Sequence, residues 1–119
     1  MKFISINYAD SMNDILMEMQ GNIRCYKISL EDFIDLSNEE KCYGYFSNND
    51  KPIVKKLEEL GVMYEPINDK IALNPTRNDV LYVIKVIGYR LKNEFDEIPN
   101  YSTLEIRVYE TYFEDNEEN

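Results

Sequence analysis

At 119 residues the chain has room for one core and not for two domains. With 44% hydrophobic and 13% aromatic residues it has the composition of a folded globule, and the excess of polar residues typical of a disordered chain is confined to the end. The net charge of −10 argues against general duplex nucleic-acid binding, whose affinity comes from neutralised phosphates.

Four of the 23 acids lie in the last six residues, which leaves nineteen acids against thirteen bases in the body. The expected organisation is a globular domain over 1–113 and an acidic, flexible tail over 114–119. No run approaches the about eighteen apolar residues of a membrane span, so no membrane partner is expected. The start Met-Lys-Phe-Ile-Ser-Ile-Asn lacks the apolar stretch of a signal peptide, which predicts a cytoplasmic location. There is no histidine. That removes the usual acid-base group near neutral pH, the usual activator of a nucleophile and the commonest metal ligand. No catalytic residue, metal site or cofactor is assigned. Cys25 and Cys42 both fall in apolar, strand-like runs and read as small buried hydrophobes.

In chain order, residues 2–7 read as a strand ending at Asn7. Ser11 with Asp14 has capping-box spacing, and Met12, Ile15, Leu16 and Met19 make the apolar stripe of a short helix stopped by Gly21. Asn22 to Ser29 reads as a second strand, with a slip in parity before Ile28. Ser29 and Asp32 repeat the cap signature, ahead of a helical face of Leu30, Phe33, Ile34 and Leu36. Residues 38–41 read as a polar link. Cys42 to Phe46 is an aromatic strand in which Gly44 lets a neighbour come close to the backbone.

Ser47-Asn48-Asn49-Asp50-Lys51-Pro52 is the clearest helix start, polar cap residues followed by Pro in the first turn. Ile53, Val54, Leu57 and Leu60 supply its buried stripe and Gly61 its end. Lys51 and Lys55 share one face near the helix's positive end, a combination that holds phosphate. The same spacing also serves a solvated face paired with Glu58 and Glu59. Residues 62–67 form a short extended piece that Pro66 confines to an edge. A short strand at Ile71–Leu73 follows.

Val80 to Leu91 is dense in Val, Ile and aromatics and apolar at both parities, as in a strand covered on both faces. A buried helix of the same length has the same composition. Lys85 and Arg90 break the run. A cation carried to the end of a central strand suits an anion site, and a Lys that snorkels or an Arg paired with a carboxylate is the simpler reading. Residues 92–101 read as loop, and Leu104, Ile106 and Val108 alternate with Glu105, Arg107 and Tyr109 in a last strand with one wet face. The whole predicts an α/β (α+β) fold, a mixed sheet of five to six strands with two to three helices packed on it. Asn48, Asn49, Lys51, Lys55 and Arg90 are the candidate ligand-contacting residues.

The order of features resembles a family of small viral and phage ring nucleases, anti-CRISPR proteins that act against type III defence. Asn7 followed by Ser11-Met12-Asn13-Asp14-Ile15-Leu16 is similar to that family's strand-ending Asn and Ser-x-Asn-x-Leu helix start. Ile28-Ser29-Leu30-Glu31-Asp32 resembles its Leu-Ser-x-Glu-Glu helix, and Leu57-Glu58-Glu59-Leu60-Gly61 its Leu-Leu-Gly ending. Asn68-Asp69 sits where it has Asn-Arg, and Val83 to Leu91 resembles its strand closing in Arg-Leu, with one residue inserted near Gly88 that a bulge would absorb. The resemblance implies a homodimer closing over cyclic tetra-adenylate and cleaving it with a histidine at the start of the long helix.

At that position this chain has Asn48, preceded by Ser47 in place of the family's Gly. Asn forms hydrogen bonds but supplies no proton near neutral pH. The expectation is therefore a phage- or mobile-element-encoded antagonist of host defence that acts by binding. Its partner would be a host defence protein such as a CRISPR effector, docked through an acidic surface drawn from ten tyrosines and the excess acids. The alternative is a cyclic oligoadenylate sponge or residual nuclease, with Lys51, Lys55 and Arg90 on phosphates and Asn48 on a ribose or leaving oxygen.

Overall fold

A computed structural model describes residues 2–7, 10–19, 21–67, 79–90, 95, 97–100 and 102–112. Six strands and three helices follow one another as β1 (Lys2–Ile6), α1 (Asp10–Glu18), β2 (Asn22–Ile28), α2 (Leu30–Glu39), β3 (Cys42–Gly44), a single 3-10 turn (Asn48–Asp50), α3 (Lys51–Glu59), β4 (Glu65–Pro66), β5 (Val80–Ile87) and β6 (Thr103–Tyr112). The strands form one mixed sheet in the order β2–β6–β5–β1–β3–β4. β1 pairs in parallel with β3 and β5, β3 in parallel with β4, and β6 runs antiparallel to both neighbours. This is the expected α/β class.

Helices cover both faces of the sheet, and β5 shows why its residues are apolar at both parities. Val80, Tyr82 and Ile84 join Ile4, Ile6, Ile106 and Val108 under Phe33 of α2 and Ile53 and Leu57 of α3. Leu81 and Val83 point the other way, to Phe3, Ile15 of α1 and Met19. Successive side chains alternate faces along a strand, so a strand sandwiched between helix layers must be apolar throughout. Truncating Ile84, which is fully buried, to Ala costs about 2–5 kcal/mol.

Helix ends are built as the residue types predict in two places. Asp32 N–H donates to Ser29 Oγ at 3.0 Å, capping α2. After α3, Gly61 adopts φ +89 while its N–H donates to Glu58 O and the Val62 N–H to Leu57 O, a Schellman closure.

Several expectations are corrected. α1 starts at Asp10, so Ser11 lies inside the first turn and not at its cap. α2 continues through Asn38 and Glu39, because buried Ser37 donates to Ile34 O at 2.8 Å and accepts from Met63 N–H at 3.2 Å, which anchors its last turn. β3 stops at Gly44: Tyr45 N–H still bonds Ile4 O, after which the chain turns off toward α3. Ile28 needs no slip in parity, since it faces the α2 side while Ile23 and Cys25 face the other. Cys25 is exposed and only Cys42 is buried; β2 is an edge strand, and α1 packs on β1 and β5, short of it. The β5–β6 ladder keeps one register through Ile87 opposite Thr103, and Gly88 follows it at φ +93. Pro66 does lie in an edge strand. The expected strand at 71–73, Asn68-Asp69 and the acidic tail lie outside the described residues. No helix among the described residues is long and apolar enough to cross a membrane.

Candidate functional site

β1 and β3 are neighbours running the same way, yet the helices that follow them lie on opposite faces, α1 on one and α3 on the other. Chains leaving adjacent strands toward opposite faces open a crevice at the carboxyl ends, the usual ligand position in parallel sheets. A cleft of about 440 Å³ lies on the β3 side of this point. That volume is in the range of small-molecule sites.

Three pieces of chain form it. Gly44, Tyr45, Phe46 and Ser47 carry the backbone out of β3; Lys51, Val54, Lys55 and Glu58 come from one face of α3; Tyr64, Pro66 and Ile67 come from around β4. Gly44 is where the expected close approach occurs. A Cβ there would stand 2.5 Å from Phe46 Cε2 and 2.6 Å from Tyr64 Cδ2. Lacking one, the site lets the two rings meet edge-on, centroids 5.4 Å apart and planes at 87°.

The turn into α3 is held by its own residues. Ser47 N–H and Oγ donate to Asp50 Oδ2 at 2.8 and 3.2 Å, and Asp50 N–H donates to Ser47 O at 3.0 Å. Asp50 is buried, and Pro52, also buried, sits in the first turn of α3. This fixes the start of the helix next to Phe46. Lys51 and Lys55, one turn apart, are then presented on the exposed side.

The cleft holds two ammonium groups and the carboxylate of Glu58, and Glu58 Oε1 accepts from Tyr64 Oη at 2.8 Å. Burial, helped by the hydrogen bond and charge of Glu58, pushes the Tyr64 hydroxyl up to about 12. It therefore remains protonated at neutral pH. Cys42 lies at the opposite end of β3 from the cleft, and burial pushes its thiol up to about 11.

Of the five sequence candidates, Lys51 and Lys55 line the cleft. Asn48 and Asn49 are exposed on the 3-10 turn, outside its lining. Arg90 is exposed beyond β5. It is at the same carboxyl edge of the sheet, but β1 separates β5 from β3, with each strand step about 4.8 Å, and Arg90 does not line the cleft. The aromatic lining was missed by the reading of residue types. The Tyr43-Gly44-Tyr45-Phe46 run carries a signal, a glycine set among rings. Tyr64 carries none, since only the pairing of β3 with β4 brings it in. Among the described residues no three His, Cys, Asp or Glu side chains gather as a metal site. Comparison of the chain with protein-family models, with curated proteins and with solved structures gave no match.

Proposed function

We propose that the chain is a binding protein whose cleft takes one unit of a phosphorylated ligand carrying a flat ring, the nucleotide class. The observation that carries this reading is the pairing of Lys51 and Lys55 with Tyr45, Phe46 and Tyr64 around one space. The ammonium groups and the positive end of α3 attract phosphate. Rings give a base a stacking surface worth about 1–3 kcal/mol. Binding without turnover is supported by the absence of histidine, the usual proton donor and acceptor near neutral pH. Taken with the resemblance to ring nucleases, the ligand is a cyclic oligoadenylate, and the role is antagonism of host defence by sequestering its messenger. Titration calorimetry with cyclic tetra-adenylate, AMP and inorganic phosphate tests this. Saturable heat with the nucleotides and unchanged cyclic ligand on recovery is expected. Flat heats throughout, or rapid conversion to linear products, overturn it.

A second reading, docking on a basic groove of a host defence protein, is favoured by α2. That helix exposes Glu31, Asp32, Asp35 and Glu39 and carries no base. It also carries no tyrosine, so this acidic face is separate from the tyrosines of the cleft. Association through it would weaken steeply with added salt.

A further inference from the structure

The two edges of the sheet differ in a way the cleft does not use. β4 is a blunt edge, two residues long with Pro66 as one of them and Glu65 tied to Lys41 at 3.1 Å. β2, at the other end, has seven residues, no proline and an unbroken register against β6. It exposes Ile23 on one face and Tyr26 on the other, at 40% and 42%. Long, flat edges of this kind are usually charged, kinked or covered, because their backbone groups pair with any matching strand.

The free backbone groups on β2 are identifiable. Thr111 N–H of β6 donates to Asp79 O, on the β5 side. Backbone groups alternate sides along a strand, so the odd-numbered residues of β6 bond toward β5 and the even ones toward β2. Asn22, Arg24, Tyr26 and Ile28, opposite Tyr112, Glu110, Val108 and Ile106, therefore bond to β6. Ile23, Cys25 and Lys27 direct N–H and C=O to the outer edge, where no strand pairs among the described residues.

We infer that a second copy of this chain pairs there, β2 against β2, antiparallel about a two-fold axis at Cys25, making one continuous sheet through both protomers. With β4 blunted, the one long edge among the described residues is β2 itself, so a β2–β2 contact is self-complementary and closes as a dimer instead of growing a filament. The register follows from the alternation. Cys25 stands opposite the partner's Cys25 and Ile23 opposite the partner's Lys27, as hydrogen-bonded pairs giving about six backbone bonds. On the other face Arg24, whose guanidinium lies 4.6 Å over the Tyr112 ring of its own chain, stands opposite the partner's Tyr26. No like charges are directly opposed. Arg24 and Lys27 are each already balanced within their own chain, by Glu110 at 3.3 Å and Glu105 at 3.6 Å.

Sedimentation of the reduced chain tests this, with expected mass twice 14.1 kDa. Cys25→Lys, which opposes two ammonium groups at the axis, is expected to sediment as monomer with an unchanged circular dichroism spectrum, and Cys25→Ala to stay dimeric. Should Cys25→Lys fail to fold, Ile23→Lys places a like charge against the partner's Lys27 and is expected to give the monomer. Mild oxidation should join wild-type chains covalently through Cys25, whose Cα separation of about 5.5 Å in such a pair permits a disulfide, and should leave Cys25→Ala unlinked. A wild type that is monomeric at every concentration, or folded lysine variants that remain dimeric, overturns the proposal.

Discussion

Tyr64 Oη donates to Glu58 Oε1 across 2.8 Å, tying the segment that leads into β4 to the last turn of α3. The same ring stands edge-on to Phe46 above Gly44. One side chain therefore links the two walls of the cleft, by a polar contact at its tip and a ring contact along its body.

That link makes stability sensitive to alkali. The Tyr64 hydroxyl is raised from 10.0 to about 12, by burial first and then by Glu58. Below pH 10 the group is protonated in both folded and unfolded chains, and its contribution is complete. Between pH 10 and about 12 the unfolded chain loses the proton that the folded chain keeps, so stability falls as pH rises. Denaturant midpoints measured across that window should drop less steeply for Tyr64→Phe than for wild type. Parallel slopes would show that this hydroxyl is not the group responsible.

Gly44→Ala tests the packing under the cleft. Its Cβ would press into two rings at 2.5 and 2.6 Å, and overpacking of this kind costs about 1–3 kcal/mol. The expected result is a lower denaturant midpoint with an unchanged m-value, together with weaker nucleotide binding because the displaced rings narrow the space.

Cation placement separates two sets of variants. Lys51→Ala and Lys55→Ala each remove a charged contact worth about 1.5–3 kcal/mol to a bound phosphate, a loss of roughly tenfold to a hundredfold in affinity by calorimetry. Arg90→Ala, outside the cleft lining, should leave affinity unchanged. Equal losses in all three would place the phosphate at the sheet edge between β3 and β5.

The two thiols should react very differently. Cys25 is exposed, whereas Cys42 is 2% exposed with its thiol pushed up to about 11. Ellman's reagent on the native, reduced chain should titrate one thiol quickly, and the second only in denaturant.

Much of this molecule is legible in residue order alone. The Val/Ile density of β5 marked a strand buried on both faces, because a strand between two helix layers has no wet side. Ser29 with Asp32 marked the start of α2, and Pro52 with Gly61 bracketed α3, because a cap or turn needs only neighbours in sequence. Lys51 and Lys55 were legible as a pair for the same reason, being one helical turn apart.

What residue order left undecided depends on contacts between distant segments. Cys25 and Cys42 sit in similar runs, yet one is exposed and the other buried; the difference is that β2 closes one side of the sheet while β3 lies within it. Arg90 and Lys51 are both cations near strand ends, and only the intervening β1 puts them apart. Tyr64 entered the cleft because β4 pairs with β3. Local sequence determined the elements, since turns, caps and periodicity act over a few residues; strand order decided which side chains share a space, since it is set by packing the entire core at once.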